Sequence, residues 1–377
     1  MNLATPGEPS GDDAMNQSTL ANSSNASKRK YRVVQWATGN VGLHSLRAII
    51  QHPQMTLAGL YVHSESKAGR DAGELCGVGT LGIKATRNIN DILALQPDCV
   101  VYMQQGCNFD DLCRLLESGI NVVTTRDEVQ NPACMDPAVR ERVETACRRG
   151  NSSIHATGSS PGFITEAVPL VLASIQRRLD SLRIFEFADL TSRDSPDMLF
   201  NLMGFGHAPR PGANEARAAH LRHSFGPPLQ VTANALGLQF DSIESKGEVA
   251  LAKRDIRIAA GTIKAGTVAA QRTVIAGMRH GKVLMSMTPT WYCTTEIDAD
   301  WDLRPDGWHI EVEGDAPFEM DLRFTTPPER KAAVTPGYTA HRAINAIPYV
   351  CEAAPGIRTV PDLPQVIADL RERSLQG

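Results

Sequence analysis

The chain has no Cys-x-x-Cys pair, no dense basic stripe and no uninterrupted apolar stretch long enough to cross a bilayer. Each absence removes a class. The eight cysteines, at 76, 99, 107, 113, 134, 147, 293 and 351, are scattered. That fits reduced, mostly buried thiols rather than a disulfide framework. Lys and Arg number 38 against 42 Asp and Glu, a formal net charge of −4, which argues against a general nucleic-acid binder. The first thirty residues are rich in Asn, Ser, Gly and Ala and have no hydrophobic region of signal-peptide type. Such a composition cannot offset ordering entropy by burial, so a disordered tail over 1–30 and a cytoplasmic location are expected.

What remains is a globular chain, 42% hydrophobic, with enough length for two domains among its 377 residues. From residue 31, YRVVQWA, MTLAGLYV, DCVVYMQ, INVVTT and SSIHATG read as strands. Between them, segments such as DDLCRLLESG and PAVRERVETACRRG read as helices. This alternation predicts crossover connections and a parallel, doubly wound α/β sheet of Rossmann type over 31–158. After about residue 158, PGFITEAVPLVLASIQRRL predicts a connecting helix entered through Pro161 and Gly162. SLRIFEFADL then reads as a strand and NEARAAHLRHSFG as a helix. Long alternating segments come next, with a hairpin turning near His280 and Gly281. A second α+β domain on a largely antiparallel sheet is expected over 159–335. Residues 336–354 read as a further helix, expected to pack back on the first domain, and 359–377 carry no clear pattern.

The first strand-to-helix turn carries VVQWATGNVGLHSL. In the G-x-G-x-x-G frame of a dinucleotide site, Ala37, Gly39 and Gly42 take the three glycine positions. Gly39 lets backbone approach a pyrophosphate, and Gly42 lets helix pack on strand. Ala37 holds the tight-turn position, where a methyl group is tolerated with φ negative. Thr38, Asn40 and Val41 complete the loop, and the free N–H groups of the opening helix attract phosphate.

Ligands of an open parallel sheet bind outside the carboxyl ends of its strands, so each strand nominates the residues just beyond its end. After the second come His63, Ser64, Lys67 and Arg70. A hydroxyl and two cations with no carboxylate at the tip favour the 2′-phosphate of NADP, while nearby Glu65 keeps NAD open. After the third, Met103, Gln104 and Gln105 border the nicotinamide half, where the amides bond the cofactor or cap the loop. Beyond the fourth lie Arg126, Asp127 and Glu128, adjacent carboxylates suited to acid/base work or to a charged surface loop. After the fifth, Thr157 and Gly158 border the nicotinamide edge or form an interdomain turn, and Ser159, Ser160 and Pro161 face the substrate. Trp291 is a candidate pocket wall. His220 and His223 share a helix face without a third ligand, so no metal is expected. Cys107 lies near the cofactor loops but lacks a partner base at a recognisable spacing.

Together, ATGNVG, KAGRDAGELCG, GINVVTTRDEVQNP and HATGSSPGF resemble the dihydrodipicolinate reductase-like dehydrogenases over about residues 31–170. Within these the chain looks closest to the native amine dehydrogenases and 2,4-diaminopentanoate dehydrogenase. In those relatives an NVITxxEExxYP strand carries the catalytic glutamate. Glu128 matches its second acidic position and Asp127 its first, whereas Asn131 stands where the family has tyrosine. GSSPGF matches a G-x-x-P-G-F turn into the second domain. The H-H-x-x-K and P-S-G-T elements of true dihydrodipicolinate reductase are absent. The resemblance implies NAD(P)H-dependent reductive amination of small carbonyl compounds with ammonia, and the reverse deamination. It also implies an apolar substrate pocket and a homodimer built on the second domain's sheet. Two other readings stand beside it: reduction of a different C=N or C=C bond, and an NADP-binding sensor without turnover.

Overall fold

The computed structural model describes residues 30–371. The tail expected over 1–30 lies outside them, Lys30 apart. The first sheet contains β1 (Tyr31–Trp36), β2 (Met55–Tyr61), β3 (Ala85–Thr86), β4 (Cys99–Tyr102), β5 (Asn121–Thr124) and β6 (Ser153–Ala156). These six lie in the order β6-β5-β4-β1-β2-β3, every pair parallel, with a seventh strand from the end of the chain beyond β6. Val33, Val34, Trp36, Val100, Val101, Tyr102, Val122 and Val123 are all fully buried. Runs apolar on both faces need cover on both faces, which the crossover helices give. These are α1 (Asn40–Gln51), α2 (Ala72–Cys76), α3 (Ile89–Ala94), α4 (Phe109–Glu117) and α5 (Pro137–Gly150). Local signals fix them: Asp136 caps α5 through the N–H groups of Ala138 and Val139, and Asn151 ends it in the left-handed region. Strand order reverses between β1 and β4, which opens a crevice at the carboxyl ends of the strands.

The second sheet comes after α6 (Val168–Ala173). It is built from β7 (Leu179–Asp189), β8 (Ser242–Leu251), β11 (Val268–Arg279), β12 (Lys282–Tyr292), β13 (Gly307–Gly314) and β14 (Phe318–Arg323). The ribbon of β9 (Ile256–Ile258) and β10 (Gly261–Ile263) stands apart. The order is β14-β13-β7-β12-β11-β8, antiparallel except for β7 with β12. The hairpin between β11 and β12 turns on His280 and Gly281, both at positive φ (52° and 72°), the conformation a two-residue type I′ turn requires. One face of the sheet packs on α7 (Ala213–Ala235), where Leu221, Phe225 and Leu229 meet Ile184, Met285, Met287 and Ile310.

Two helices differ from the sequence expectation. NEARAAHLRHSFG stops short of Pro227 and Pro228, yet α7 runs through both to Ala235. The prolines donate no N–H to the preceding turn, but burial of Leu229, Val231 and Ala233 holds the helix together. The connecting helix opens as a π-helical turn, Phe163–Ala167, before α6. Finally α8 (Pro328–Cys351) returns to the first sheet, burying Ala343, Ile344, Ile347 and Val350 with Leu46, Ile49 and Val101. The last strand, β15 (Gly356–Arg358), pairs with β6. Among the described residues no helix is long and apolar enough to cross a membrane.

Candidate functional site

The turn after β1 corrects one expectation. Ala37 has φ of +71°, not a negative value. Its neighbours impose this: Ala37 N–H donates to the Tyr61 carbonyl at 2.8 Å, and its carbonyl accepts from the Gln35 amide at 2.8 Å. The Gln35 amide is itself fixed by Ser45 at 2.7 Å. Gly42 is required for packing, because a Cβ there would lie 2.5 Å from the Ala37 oxygen. Gly39 is different. A Cβ there would meet nothing within 4 Å, so no protein atom fills that space. No side chain caps α1 and no acidic residue sits in its first turn, which leaves its opening N–H groups free for an anion. An open cradle at Gly39 beside an uncapped helix fits a dinucleotide pyrophosphate across Thr38, Asn40 and Val41.

At the β2 tip, Lys67 Nζ donates to the carbonyl and Oγ1 of Thr38 at 3.2 and 3.0 Å, tying this loop to the first. Ser64 Oγ pairs with Ser66 Oγ at 2.7 Å. Glu65 faces Arg87 at 3.6 Å, and Arg70 is exposed with no side-chain partner among the described residues. Gln104 proves to be a loop-holding group: its Oε1 accepts from the Trp36 indole and lies against His63 Nε2, each at 2.8 Å. Met103 is buried beneath Thr125, and Gln105 is exposed.

The pair after β5 lies on a short turn, Asp127–Val129. Glu128 Oε1 accepts the Cys107 N–H at 3.1 Å, which sets this carboxylate against the loop after β4; its Oε2 meets Arg126 Nε at 3.1 Å. Asp127 meets Ser224 of α7 as well as Glu128, and lies 3.7 Å from Arg126. Burial pushes its carboxyl up, but the Ser224 hydroxyl, Glu128 and Arg126 outweigh burial and hold it below the usual carboxylate range. Cys107 is unsuited to nucleophilic work: burial, then the charge of Glu128, pushes its thiol up to about 12. Asn131 is a structural residue, 5% exposed, donating to the Pro227 carbonyl of α7 at 3.1 Å.

After β6, Ser159 Oγ bonds Thr339 Oγ1 of α8 at 2.7 Å. Gly158 packs against the same threonine, and the peptide bond ahead of Pro161 is cis. The hydroxyls of Thr157 and Ser160 are buried without partners among the described residues. Here sequence reasoning missed Glu166, which is fully buried. Its carboxyl accepts from the Gly162 N–H at 2.7 Å, from Thr165 and from Gln130, the residue ending the Asp127–Glu128 turn. Burial raises its pKa against those bonds and the nearby Arg342. The sequence places Glu166 four residues after Gly162, a visible spacing, but nothing in it reveals Gln130 as partner.

A cavity of about 800 Å³ lies in the second half, under the first half of α7. Ser224, which touches Asp127, is one helical turn beyond His220, which lines it. Trp291 forms part of the wall; Ser159, Ser160 and Pro161 do not. The lining is mixed rather than apolar: Met198, Leu202 and Leu221 share it with Arg217, His220 and Gln271. His220 and His223 are both exposed on α7. Among the described residues, the one group spaced for a cation is His309, Glu311 and Glu319 on the other sheet face.

A parallel sheet with reversed strand order, an open glycine cradle at an uncapped helix and a carboxylate pair across the crevice define a dinucleotide-dependent oxidoreductase of two-sheet architecture. Residues 216–374 match the 2,4-diaminopentanoate dehydrogenase C-terminal domain. An amine dehydrogenase of Streptomyces virginiae is 30% identical over 347 residues, 88% of this chain and 95% of that protein. The 2,4-diaminopentanoate dehydrogenase of Acetoanaerobium sticklandii is 21% identical over 70% of this chain and 73% of its own. The solved amine dehydrogenase of Mycobacterium smegmatis superposes with a TM-score of 0.71 at 20% identity, covering 91% of this chain and 98% of that one. The chain belongs to the amine dehydrogenase family.

Proposed function

We propose that the protein reductively aminates small carbonyl compounds with ammonia, and deaminates the amines in reverse, with Glu128 as the catalytic acid/base. The observation that carries this is the Glu128 carboxylate held against the loop after β4 at the crevice. Bound nicotinamide supplies or accepts the hydride. Every other task belongs to the chain. The Gly39 cradle and the start of α1 hold the pyrophosphate. Glu128 takes a proton from ammonium, freeing ammonia to add to the carbonyl carbon. Protonated Glu128 then returns that proton to the carbinolamine hydroxyl, which leaves as water, and the carboxylate so regenerated stabilises the positive charge of the iminium as it develops. In reverse, Glu128 accepts the proton of the alkylammonium. Asp127, held by Ser224 and Arg126, stays ionised and steadies the turn.

We favour NADP, with NAD also accommodated, because Arg70 has no side-chain partner among the described residues while Glu65 is engaged by Arg87. A homodimer through the open face of the second sheet is supported by Phe185, Phe187, Val274 and Met278, which line an uncovered groove there. Eight free cysteines suit the reducing cytoplasm.

The decisive test is Glu128→Gln. Ammonium-dependent oxidation of NADPH should fall about a hundred- to ten-thousandfold in kcat, with NADPH affinity within about twofold of native. Retained turnover with normal cofactor affinity would show that another group moves the proton. Arg70→Ala should weaken NADPH binding about tenfold or more, the worth of one charged hydrogen bond, and leave NADH binding alone. Equal losses for both cofactors would remove the 2′-phosphate role.

A further inference from the structure

The cavity under α7 has no carboxylate in its wall, yet Arg193, Arg210 and Arg217 all line it. Among the described residues none of the three guanidinium groups forms an ion pair. Arg193 and Arg210 are exposed, whereas Arg217 is part-buried. One terminal nitrogen of Arg217 donates to Asn214 Oδ1 at 2.8 Å and to the Glu248 carbonyl at 3.3 Å. Its Nε is buried without a partner among the described residues. The Glu248 carboxylate is held by Lys246 and Arg272 instead. Glu215, whose charge reaches Arg217, is exposed and forms no part of the wall.

Two further features face the same space. Ala213, Asn214 and Ala216 line it at the start of α7, a helix of 23 residues that no side chain caps, so its opening N–H groups add positive potential. Gln271, 3% exposed, is also in the wall. Its Nε2 donates to the Met203 carbonyl at 2.6 Å, which fixes the amide and leaves Oε1 buried without a partner among the described residues. A donor and an acceptor left unmade in one wall are a cost that a bound polar group removes. An oxyanion for Arg217, with its own water or hydroxyl for Gln271, completes both.

The position of this charge limits what can reach it. Ser224, which meets Asp127, lies two turns from Arg217 along one face of α7, about 10 Å. Helical side chains lean toward the N-terminus, and the bond to Asn214 shows that Arg217 does so. The basic wall is therefore remote from the acid/base turn, too far for a carboxylate attached directly to the reacting carbonyl.

We propose that the cavity under α7 binds the far end of the substrate, a carboxylate held by Arg217, with Arg193 and Arg210 supplying the field that draws it in. The preferred carbonyl compounds are then oxo acids whose carbonyl lies at the opposite end of the chain from the acid, rather than neutral ketones or 2-oxo acids. The inference deepens the amination reading above and rests on it.

The test compares 7-oxooctanoate with octan-2-one and with 2-oxooctanoate in ammonium-dependent oxidation of NADPH. Native protein should favour 7-oxooctanoate over either by about tenfold or more in kcat/KM, the worth of a charge-assisted hydrogen bond. Arg217→Gln should bring the ratio over octan-2-one to about one, through KM rather than kcat. A native ratio near one, or a ratio unchanged in the variant, overturns the proposal. Should Arg217→Gln fail to fold, Arg193→Gln combined with Arg210→Gln is read on the same ratio; a fall of about threefold or more is expected from two lost charges, and an unchanged ratio overturns the proposal. Calorimetric titration of octanoate and octan-1-ol into the NADP-loaded protein separates the two claims. Octanoate binding about tenfold tighter than the alcohol, and weakened by Arg217→Gln, keeps the site even if no carbonyl compound is aminated. Amination of octan-2-one as efficient as that of the oxo acid keeps the amine chemistry and removes the site.

Discussion

Ala37→Gly should make the protein more stable, against the usual direction of such a change. The left-handed region costs a residue with a Cβ roughly 1–2 kcal/mol, and Ala37 sits there at φ +71°. Glycine removes that cost but enlarges the unfolded ensemble, returning about 0.5–1 kcal/mol. The net gain is about 0.5–1 kcal/mol. Both backbone groups of residue 37 keep their partners, Tyr61 and Gln35, so the cradle keeps its shape. Urea unfolding followed by tryptophan fluorescence is a direct assay, since Trp36 is the adjacent buried residue. The midpoint should rise by about 0.2–0.3 M, with cofactor affinity within about twofold. Gly42→Ala serves as the opposite control, because its methyl would lie 2.5 Å from the Ala37 oxygen. Destabilisation by Ala37→Gly of about 0.5 kcal/mol or more would mean that the turn is not left-handed at this residue, and the strain argument would fail.

Two further expectations concern pH. Burial lowers the His155 pKa to about 4, while its Nδ1 bonds the Arg358 carbonyl at 2.7 Å. A base depressed below its unfolded value of about 6.5 contributes stability that is present above that pH and lost as pH falls toward 4, up to about 3 kcal/mol. His155→Gln should flatten the urea midpoint between those values; an unchanged slope would place the acid sensitivity elsewhere. Glu166 has the opposite sign for a carboxylate: raised by burial, its contribution is complete below the unfolded value of about 4.3 and is lost as pH rises through the folded one. Glu166→Gln should therefore lose less stability than native protein on going to alkaline pH, and a steeper loss would contradict the raised value.

The first sheet was legible because its strands are continuous apolar runs and its helices carry their own stop signals, such as Pro137 and Gly150 at the two ends of α5. Strand ends then nominated the crevice residues by topology alone. The backbone at Ala37 was not legible, since its φ is set by Gln35 and Tyr61, partners that only the folded sheet brings to it. Nor was the run of α7 through two prolines, because burial decides there against local propensity. Glu166 and Ser224 share a reason for being missed: each acts through a residue more than thirty positions away.

The return of α8 to the first sheet has a consequence for synthesis. β1 through β6 leave the ribosome long before the helix that covers Leu46, Ile49 and Val101. The nascent dinucleotide half therefore waits with an apolar face open to water, a surface that chaperones bind and that aggregates when they are scarce. Translation stopping ahead of Pro328 would leave a half-built nucleotide site rather than a free-standing first domain, so the first half matures only once α8 has been made.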